Sequence, residues 1–181
     1  DNGVPFLVME FLEGEALGEF VARRGGKLSP ETALRRMLPV VDAVAPLAEG
    51  SGLSLSVSAP QGVLATVDPD RIRQVLRILL DNAIAYTAAG GTIQVGVERQ
   101  DSRARLTVTD TGAGIAPEDQ ARVFDRFYRA DRARARATGG AGLGLAIARA
   151  LVHAHAGEIG LTSEPGRGTT VWFTLPLALA P

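Results

Sequence analysis

The chain has 181 residues, of which 46% are hydrophobic, and its 19 basic residues nearly balance its 20 acidic ones. This length and composition suit one domain with a sizeable core, or one domain with an appendage. The near-neutral charge gives no reason to expect a nucleic acid or an anionic membrane as a partner. The absence of cysteine excludes disulfides and thiolate metal sites. No apolar run reaches the roughly 18 residues that span a bilayer, so we expect a soluble, cytoplasmic fragment.

The first part of the chain predicts short strands and helices. The predicted strands are 5–11, 53–59 and 63–67, and the predicted helices are 16–24 and 29–48. Pro39 and Pro46 interrupt the second helical pattern, so we expect that helix to be kinked or split.

The second part of the chain begins with the strongest helical signal. Asp68 is a good N-cap, Pro69 suits the first helical position, and apolar residues then recur at helical spacing as far as Ala83. The further predicted elements are strands at 90–98, 103–110, 158–165 and 168–176, helices at 117–127 and 142–155, and a loop at 128–141. This order predicts an α/β (α+β) two-layer sandwich, with helices on one face of a mixed sheet.

Four glycines crowd together at the start of the last predicted helix, in ATGGAGLGLAIARA (137–150). Glycines just before a helix let a phosphate approach the unpaired N–H groups of its first turn. Leu145 stands where a Walker motif needs lysine, and an arginine-rich loop precedes where a dinucleotide motif needs a strand. The remaining alternatives to a phosphate cradle are a flexible loop and tight helix packing.

A second motif, DTGAGI (110–115), follows a predicted strand. Asp110 ends that strand, where ligands commonly sit in open α/β sheets, and its carboxylate would accept a hydrogen bond from an exocyclic amine such as that of adenine. Gly112 and Gly114 would let the chain turn sharply beside a flat ring. The alternative is an ordinary Asp-Thr-Gly turn.

A third motif places Asn82 on a helix that is otherwise packed by leucines, with Tyr86 one turn later on the same face. A buried asparagine needs hydrogen-bonding partners, and coordination of a hard cation through its carbonyl is one solution. The alternative is an amide satisfied within the core.

A fourth motif, FDRFYRADRARARA (124–137), carries many guanidinium groups and little opposing charge. Its arginines are Arg126, Arg129, Arg132, Arg134 and Arg136. Clustered arginines bind phosphates well, although a solvated charged loop is the usual alternative.

These four motifs, in this order, resemble the ATP-binding catalytic domain of sensor histidine kinases, in the superfamily shared with gyrase, Hsp90 and MutL proteins. The resemblance covers about residues 33–176 and extends to the closing hairpin EPGRGTTVWFTLP. It implies a mixed five-stranded sheet, three main helices, and Mg-ATP bound between the asparagine helix and a flexible lid.

The resemblance also implies functional residues, position by position. Asp110 would recognise the adenine amine, Phe124 and Phe127 would anchor the lid, and Thr169 would reach the adenine through water. Asn82 is the implied Mg²⁺ ligand and, with Arg129, the implied catalytic residue. The implied nucleotide-binding residues are Asn82, Tyr86, Asp110, Gly112, Gly114, Ile115, Phe124, Phe127, Arg129, Arg132, Arg134, Gly140, Gly142, Leu143, Gly144, Leu145 and Thr169.

The sequence departs from the family at the phosphate end of this implied site. Ile78 stands where the family usually has a second asparagine, and Ala85 where it often has lysine. Two alternatives to a kinase domain therefore stay open: an ATP-binding switch without phosphotransfer, and an ATPase of the same superfamily. The ATPase is disfavoured because the gyrase and Hsp90 branch of the superfamily has a glutamate, acting as general base, where this chain has Ile78.

The family implies partners that this chain does not encode. No phosphoacceptor motif such as H-E-[LF]-R-T-P is present, and His153 and His155 follow the glycine motif instead. We therefore expect a monomeric fragment that donates phosphate to a histidine on a separate dimerisation helix, with a response regulator next in the relay. No contact with nucleic acid or membrane is expected.

Residues 29–181 form the predicted catalytic domain, and residues 1–28 form a segment of uncertain order. VPFLVMEFLEGEALGEFVARRG (4–25) looks like the hinge strand and following helix of bacterial Ser/Thr protein kinases. An unrelated strand and helix is an equal alternative. No H-R-D or D-F-G follows, so a Ser/Thr kinase is excluded.

Overall fold

The computed structural model describes residues 38–59, 65, 67–130 and 141–177. The predicted strand at 5–11, the predicted helix at 16–24 and the boundary at 28–29 therefore lie outside the described residues. So do Arg132, Arg134 and Gly140.

Three longer helices and one short one occur in the described residues. They are α1 (Leu38–Gly50), α2 (Pro69–Tyr86), α3 (Pro117–Gln120) and α4 (Gly144–Ala154). Within this described part of the chain, no helix combines the length and apolarity needed to cross a membrane.

The strands form one mixed five-stranded sheet, as the family resemblance implies. They are β1 (Ser54–Ser58), β2 (Thr92–Gln100), β3 (Arg103–Asp110), β4 (Ile159–Glu164) and β5 (Gly168–Pro176). The spatial order is β1-β2-β3-β5-β4, with β1 parallel to β2 and the other pairs antiparallel. Of the predicted strand at 63–67, Ala65 makes a single antiparallel bridge to Leu177.

The core lies between the helices and one face of the sheet. On β3 every second residue is buried, from Ala104 to Asp110, which is the pattern of a strand with one covered face. In α2 the buried positions recur at helical spacing and pack over this face: Ile72, Val75, Leu76, Leu79, Leu80 and Ala83. The predicted two-layer sandwich is confirmed.

The start of α2 follows its predicted cap. The Asp68 carboxylate accepts hydrogen bonds from the backbone N–H groups of Asp70 (2.9 Å) and Arg71 (3.3 Å), and Pro69 occupies the first turn. A cap of this kind stabilises a helix by about 1 kcal/mol.

One helix is not split where the sequence predicted a kink or a split, and another is shorter than predicted. The interruption expected in the first long helix does not split its described part, because α1 runs unbroken through Pro39 and Pro46. The helix predicted at 117–127 ends at Gln120. Beyond it, backbone N–H groups bond mainly to carbonyls three residues earlier, and Phe127 has a left-handed φ of +63° that ends any right-handed helix.

The helices α2 and α4 pack against each other, and His155 joins their distal ends. His155 caps the end of α4, where its Nδ1 lies 2.7 Å from the Leu151 carbonyl oxygen and its Nε2 accepts the Asp68 backbone N–H at 3.2 Å. The carbonyl only accepts and the N–H only donates, so the proton of the imidazole resides on Nδ1. His155 is buried, whereas His153 on the same helix is exposed.

We predict that His155→Ala lowers the free energy of unfolding by about 1–3 kcal/mol, because the Asp68 N–H and the Leu151 carbonyl both lose a partner. His153→Ala is the matched control and should change it by less than about 0.5 kcal/mol. Urea unfolding of both variants measures the difference. Equal effects at the two histidines would contradict the bridging role.

Candidate functional site

A cavity of about 470 Å³ opens between the C-terminal half of α2, the adjoining ends of β3 and β5, and the start of α4. Three of the four sequence motifs meet there, and the described beginning of the fourth closes one side. The predicted site residues that line it are Asn82, Tyr86, Asp110, Gly114, Ile115, Arg129, Gly142, Leu143, Gly144, Leu145 and Thr169.

Asp110 provides a buried carboxylate on the wall of this cavity. It is 8% exposed and ends β3, and its Oδ1 accepts the Gly112 backbone N–H at 2.8 Å. Burial raises the pKa of Asp110 above its ordinary value, while hydrogen bonds from the Gly112 and Thr169 backbones oppose that rise. The carboxylate is therefore an acceptor with few competing waters, suited to a ligand that donates hydrogen bonds.

Gly112 and Gly114 are needed for close approach between backbone segments. A Cβ at Gly112 would lie 2.5 Å from the Tyr86 carbonyl oxygen, and one at Gly114, where φ is +70°, would lie 2.1 Å from the Glu164 carbonyl oxygen. No side chain fits at either place. At both glycines the loop after β3 lies directly against neighbouring backbone. Gly114 also lines the cavity.

Thr169 reaches the cavity because of the sheet register. It pairs with Asp110 across β3 and β5, and with Ser163 across β4 and β5. Its hydroxyl lies 2.8 Å from the Ser163 hydroxyl, which also accepts the Ile115 backbone N–H at 2.8 Å. Ser163 was missed by the sequence analysis, and its position opposite Thr169 in the closing hairpin is the signal that could have found it.

The α2 face of the cavity carries Asn82 and Tyr86 one turn apart. Asn82 is half-buried, and its amide makes no hydrogen bond to any group among the described residues, so the alternative of an amide satisfied by them is not supported. Its carbonyl is free to face a cation or a ligand. The neighbouring Asp81 is already held by Arg77, with Nε at 2.8 and 2.9 Å from its two carboxylate oxygens.

The residues that depart from the family also line the cavity. Ile78 and Ala85 both contribute to its α2 wall. A Cβ at Gly144 would lie 3.2 Å from Ile78 Cγ2, so the start of α4 lies directly against this isoleucine. The wall at this point is apolar and offers nothing to a phosphate or a metal.

The start of α4 forms the opposite wall. Gly142 has a φ of +69° and accepts the Phe127 N–H at 2.9 Å, and the helix begins two residues later at Gly144. The first backbone N–H groups of a helix lack acceptors within it and carry the positive end of its dipole. This end of α4 is therefore suited to anionic groups.

The segment after α3 places its two phenylalanines differently. Phe124 is buried, whereas Phe127 is 70% exposed. Tyr128 lines the cavity, donates to the Asp119 carboxylate at 2.5 Å and stacks under the Arg122 guanidinium at 4.3 Å. These contacts with Asp119 and Arg122 therefore hold the described first residues of the arginine-rich segment in place.

Several apolar lining residues were not among the predicted site residues. Val108 lies two residues before Asp110, and Leu161 and Val171 lie in the closing hairpin. Strand alternation points them to the same face as Asp110 and Thr169. They give the cavity the apolar floor that a flat ring requires.

Asn82 is the described residue best suited to help hold a metal. Residues 38–59, 65, 67–130 and 141–177 contain no group of three or more His, Cys, Asp or Glu side chains arranged for a metal. A cation here would take the Asn82 carbonyl together with oxygens from a bound ligand and water, as Mg²⁺ commonly does.

Residues 67–179 match the family model described as "Histidine kinase-, DNA gyrase B-, and HSP90-like ATPase". The Sensor protein SrrB of Staphylococcus aureus (strain MRSA252) is 43% identical over 129 residues, which are 71% of this chain and 22% of that protein. The chain thus spans about a fifth of the length of the curated relatives it matches.

Two solved structures share the fold. The full-length ShkA complex with AMPPNP has a TM-score of 0.71 and 34% identity, covering 88% of this chain and 34% of that one. The mycobacterial sensor histidine kinase MprB has a TM-score of 0.71 and 27% identity, covering 81% and 97%. The chain therefore belongs to the histidine kinase-, DNA gyrase B- and HSP90-like ATPase family, and within it to the ATP-binding catalytic domains of sensor histidine kinases.

Proposed function

We propose that this chain binds Mg-ATP and donates the γ-phosphate to a histidine on a dimerisation helix outside residues 1–181, as the catalytic domain of a two-component sensor kinase. The observation that carries the proposal is the buried Asp110 carboxylate on the wall of a cavity that also meets the start of α4. One end of the cavity suits a hydrogen-bond donor on a flat ring, and the other suits an anion.

At the ring end, Asp110 accepts a hydrogen bond from the adenine amine. Burial raises the pKa of this carboxyl, and hydrogen bonds from the Gly112 and Thr169 backbones oppose the rise. Tyr86 packs beside the ring, and Thr169 contacts its polar edge directly or through water. The apolar floor under these groups excludes bulk water.

At the phosphate end, the start of α4 and Arg129 face the triphosphate. The helix supplies unpaired N–H groups and a favourable dipole, and Arg129 supplies a guanidinium on the cavity wall. Asn82 holds Mg²⁺, which neutralises phosphate charge when it is bound. Arg132, Arg134 and Gly140, which lie outside the described residues, stay predicted nucleotide-binding residues on the family resemblance.

The chemical contribution of this chain is positioning and charge stabilisation. Phosphoryl transfer requires an aligned acceptor and neutralised phosphate oxygens rather than a protein nucleophile within this domain. Asn82 and Arg129 are the residues we assign to that task. The acceptor histidine and the response regulator that follows it lie outside the chain.

A second candidate is an ATP-binding switch that does not transfer phosphate. It is favoured by the apolar wall at Ile78 and Ala85, since both line the cavity where the family has polar groups. In that case nucleotide binding would change the conformation of the domain and nothing more.

The proposal predicts that the chain binds a non-hydrolysable ATP analogue and that Asp110→Asn weakens this binding by about 10- to 100-fold. The amide cannot offer a charged acceptor to the adenine amine, and hydrogen bonds to charged groups are worth roughly 1.5–3 kcal/mol. Calorimetric titration measures the affinity. Asp101→Asn is the matched control, because Asp101 lies in a turn with φ +52°, which asparagine tolerates.

The same variant should be as stable as the parent chain or more stable at pH 7. Because folding raises the Asp110 pKa, its charge disfavours the folded state, and this cost is absent below the ordinary aspartate pKa and complete above the raised one. Urea unfolding at pH 7 and pH 4 should show the advantage of Asp110→Asn shrinking as the pH falls. A variant that loses both binding and stability at pH 7 would contradict a specific role in binding.

We predict that Mg²⁺ strengthens analogue binding and that Asn82→Ala removes most of this gain, about 10-fold or more, by deleting a metal ligand. The measurement is the ratio of affinities with Mg²⁺ and with a chelator. Gln74→Ala is the control, since it deletes an exposed amide from the same helix. A Mg²⁺ effect that survives in Asn82→Ala would exclude this residue as the ligand.

Restoring the family residues distinguishes the kinase from the switch. In a chain joined to a histidine-bearing dimerisation helix, Ile78→Asn with Ala85→Lys should raise the rate of phosphohistidine formation by about 10-fold, because each adds a polar contact at the phosphate end. Radiolabelled ATP provides the measurement. Unchanged transfer would show that these two positions do not limit the reaction.

A further inference from the structure

The Ser163 hydroxyl lies behind the cavity wall and contacts three groups at once. It accepts the Ile115 backbone N–H at 2.8 Å, lies 2.9 Å from the Gly168 carbonyl oxygen, and lies 2.8 Å from the Thr169 hydroxyl. The Gln120 amide fixes the backbone around it, donating to the Ser163 carbonyl at 2.9 Å and to the Ile115 carbonyl at 3.0 Å.

These contacts determine which way the hydroxyl protons point. A serine hydroxyl has one proton to donate and two lone pairs to accept with. The Gly168 carbonyl can only accept, so it takes the Ser163 proton, and the Ile115 N–H takes one lone pair. The arrangement that satisfies all three partners therefore has Thr169 donating its proton to the second lone pair.

With its proton directed at Ser163, the Thr169 oxygen presents only lone pairs to the cavity that this residue lines. Its neighbour across the strand pair is the Asp110 carboxylate, which is also an acceptor. Two adjacent acceptors match the amine of adenine. They oppose the carbonyl oxygen that guanine carries at the same ring position, because acceptor would then face acceptor.

We infer that Ser163 is a positioning residue that makes the cavity select adenine over guanine nucleotides by fixing the direction of the Thr169 hydroxyl. The inference rests on the proposed binding of ATP in this cavity. Ser163 itself does not touch the nucleotide and acts through Thr169.

The test is the ratio of affinities for ATP and GTP analogues, measured by calorimetry on the 181-residue chain. Ser163→Ala frees the Thr169 hydroxyl to rotate and donate into the cavity. We expect the preference for ATP to fall by about 3- to 10-fold, the worth of one neutral hydrogen bond. Ser163→Thr retains the hydroxyl and should keep the preference within about 2-fold of the parent chain.

Coupling to Thr169 separates positioning from a general structural role. In a Thr169→Val background, Ser163→Ala should change the ATP preference by less than about 2-fold, because the group it orients is gone. Thr170→Val is the control: its hydroxyl lies 3.0 Å from that of Thr109, on the opposite face of the same strand, and its loss should leave the preference unchanged. Ser163→Cys, which preserves side-chain volume with a weak hydrogen-bonding group, replaces Ser163→Ala if the latter fails to fold.

The outcomes are distinct. Equal weakening of ATP and GTP in Ser163→Ala would overturn the inference and leave Ser163 as a support for the loop after β3. A parent chain that binds both nucleotides equally would also overturn it, while leaving nucleotide binding intact. A folded parent chain that binds neither would instead overturn the proposed function, and the inference with it.

Discussion

The burial of the Asp110 carboxylate is the constraint on which the geometry of the cavity depends. A carboxylate removed from water needs donors, and here the Gly112 and Thr169 backbones supply them. Those donors reach it only because two chain segments come unusually close: a Cβ at Gly168 would lie 1.9 Å from the Asp110 carbonyl oxygen, and one at Gly112 would lie 2.8 Å from its carboxylate. The close approach at these glycines therefore allows the backbone N–H groups to reach the carboxylate. That carboxylate is the hydrogen-bond acceptor that the cavity offers to a ligand.

The packing of α2 against α4 sets the width of the cavity. His155 joins their distal ends through Asp68, while at the other end Gly144 lies against Ile78. Both helices rest on the covered face of the sheet, so neither can move far without exposing core residues. The cavity thus has two rigid walls, and Ala130 and Ala141 also line it.

The two ends of the cavity differ in the polar groups that they offer to a ligand. At the end assigned to the ring, the Asp110 carboxylate accepts the Gly112 N–H, and the Thr169 hydroxyl lies 2.8 Å from the Ser163 hydroxyl. At the end assigned to the phosphates, Asn82 lies on the same α2 wall as the apolar side chains of Ile78 and Ala85. Under the proposed function, binding of the base and transfer of the phosphate would therefore depend on different residues, and mutations at one end need not disturb the other.

The sequence by itself determined the order of the main helices and of the five sheet strands from residue 38 on, and the start of α2. These are local properties: the Asp68 cap, the apolar period of α2 and the strand that ends at Asp110 are encoded within a few residues of each other. The helix predicted at 117–127 ends at Gln120, and the Phe127 N–H at the end of the predicted span bonds to the Gly142 carbonyl, a contact that no local pattern records.

Only the tertiary structure decided which groups meet around the cavity. The roles of Ser163 and His155 come from partners distant in sequence, Ile115 and Asp68 respectively. The exposure of Phe127 against the burial of Phe124 likewise depends on packing between segments. Hydrogen-bond direction and burial are properties of neighbours in space, and the sequence lists neighbours only along the chain.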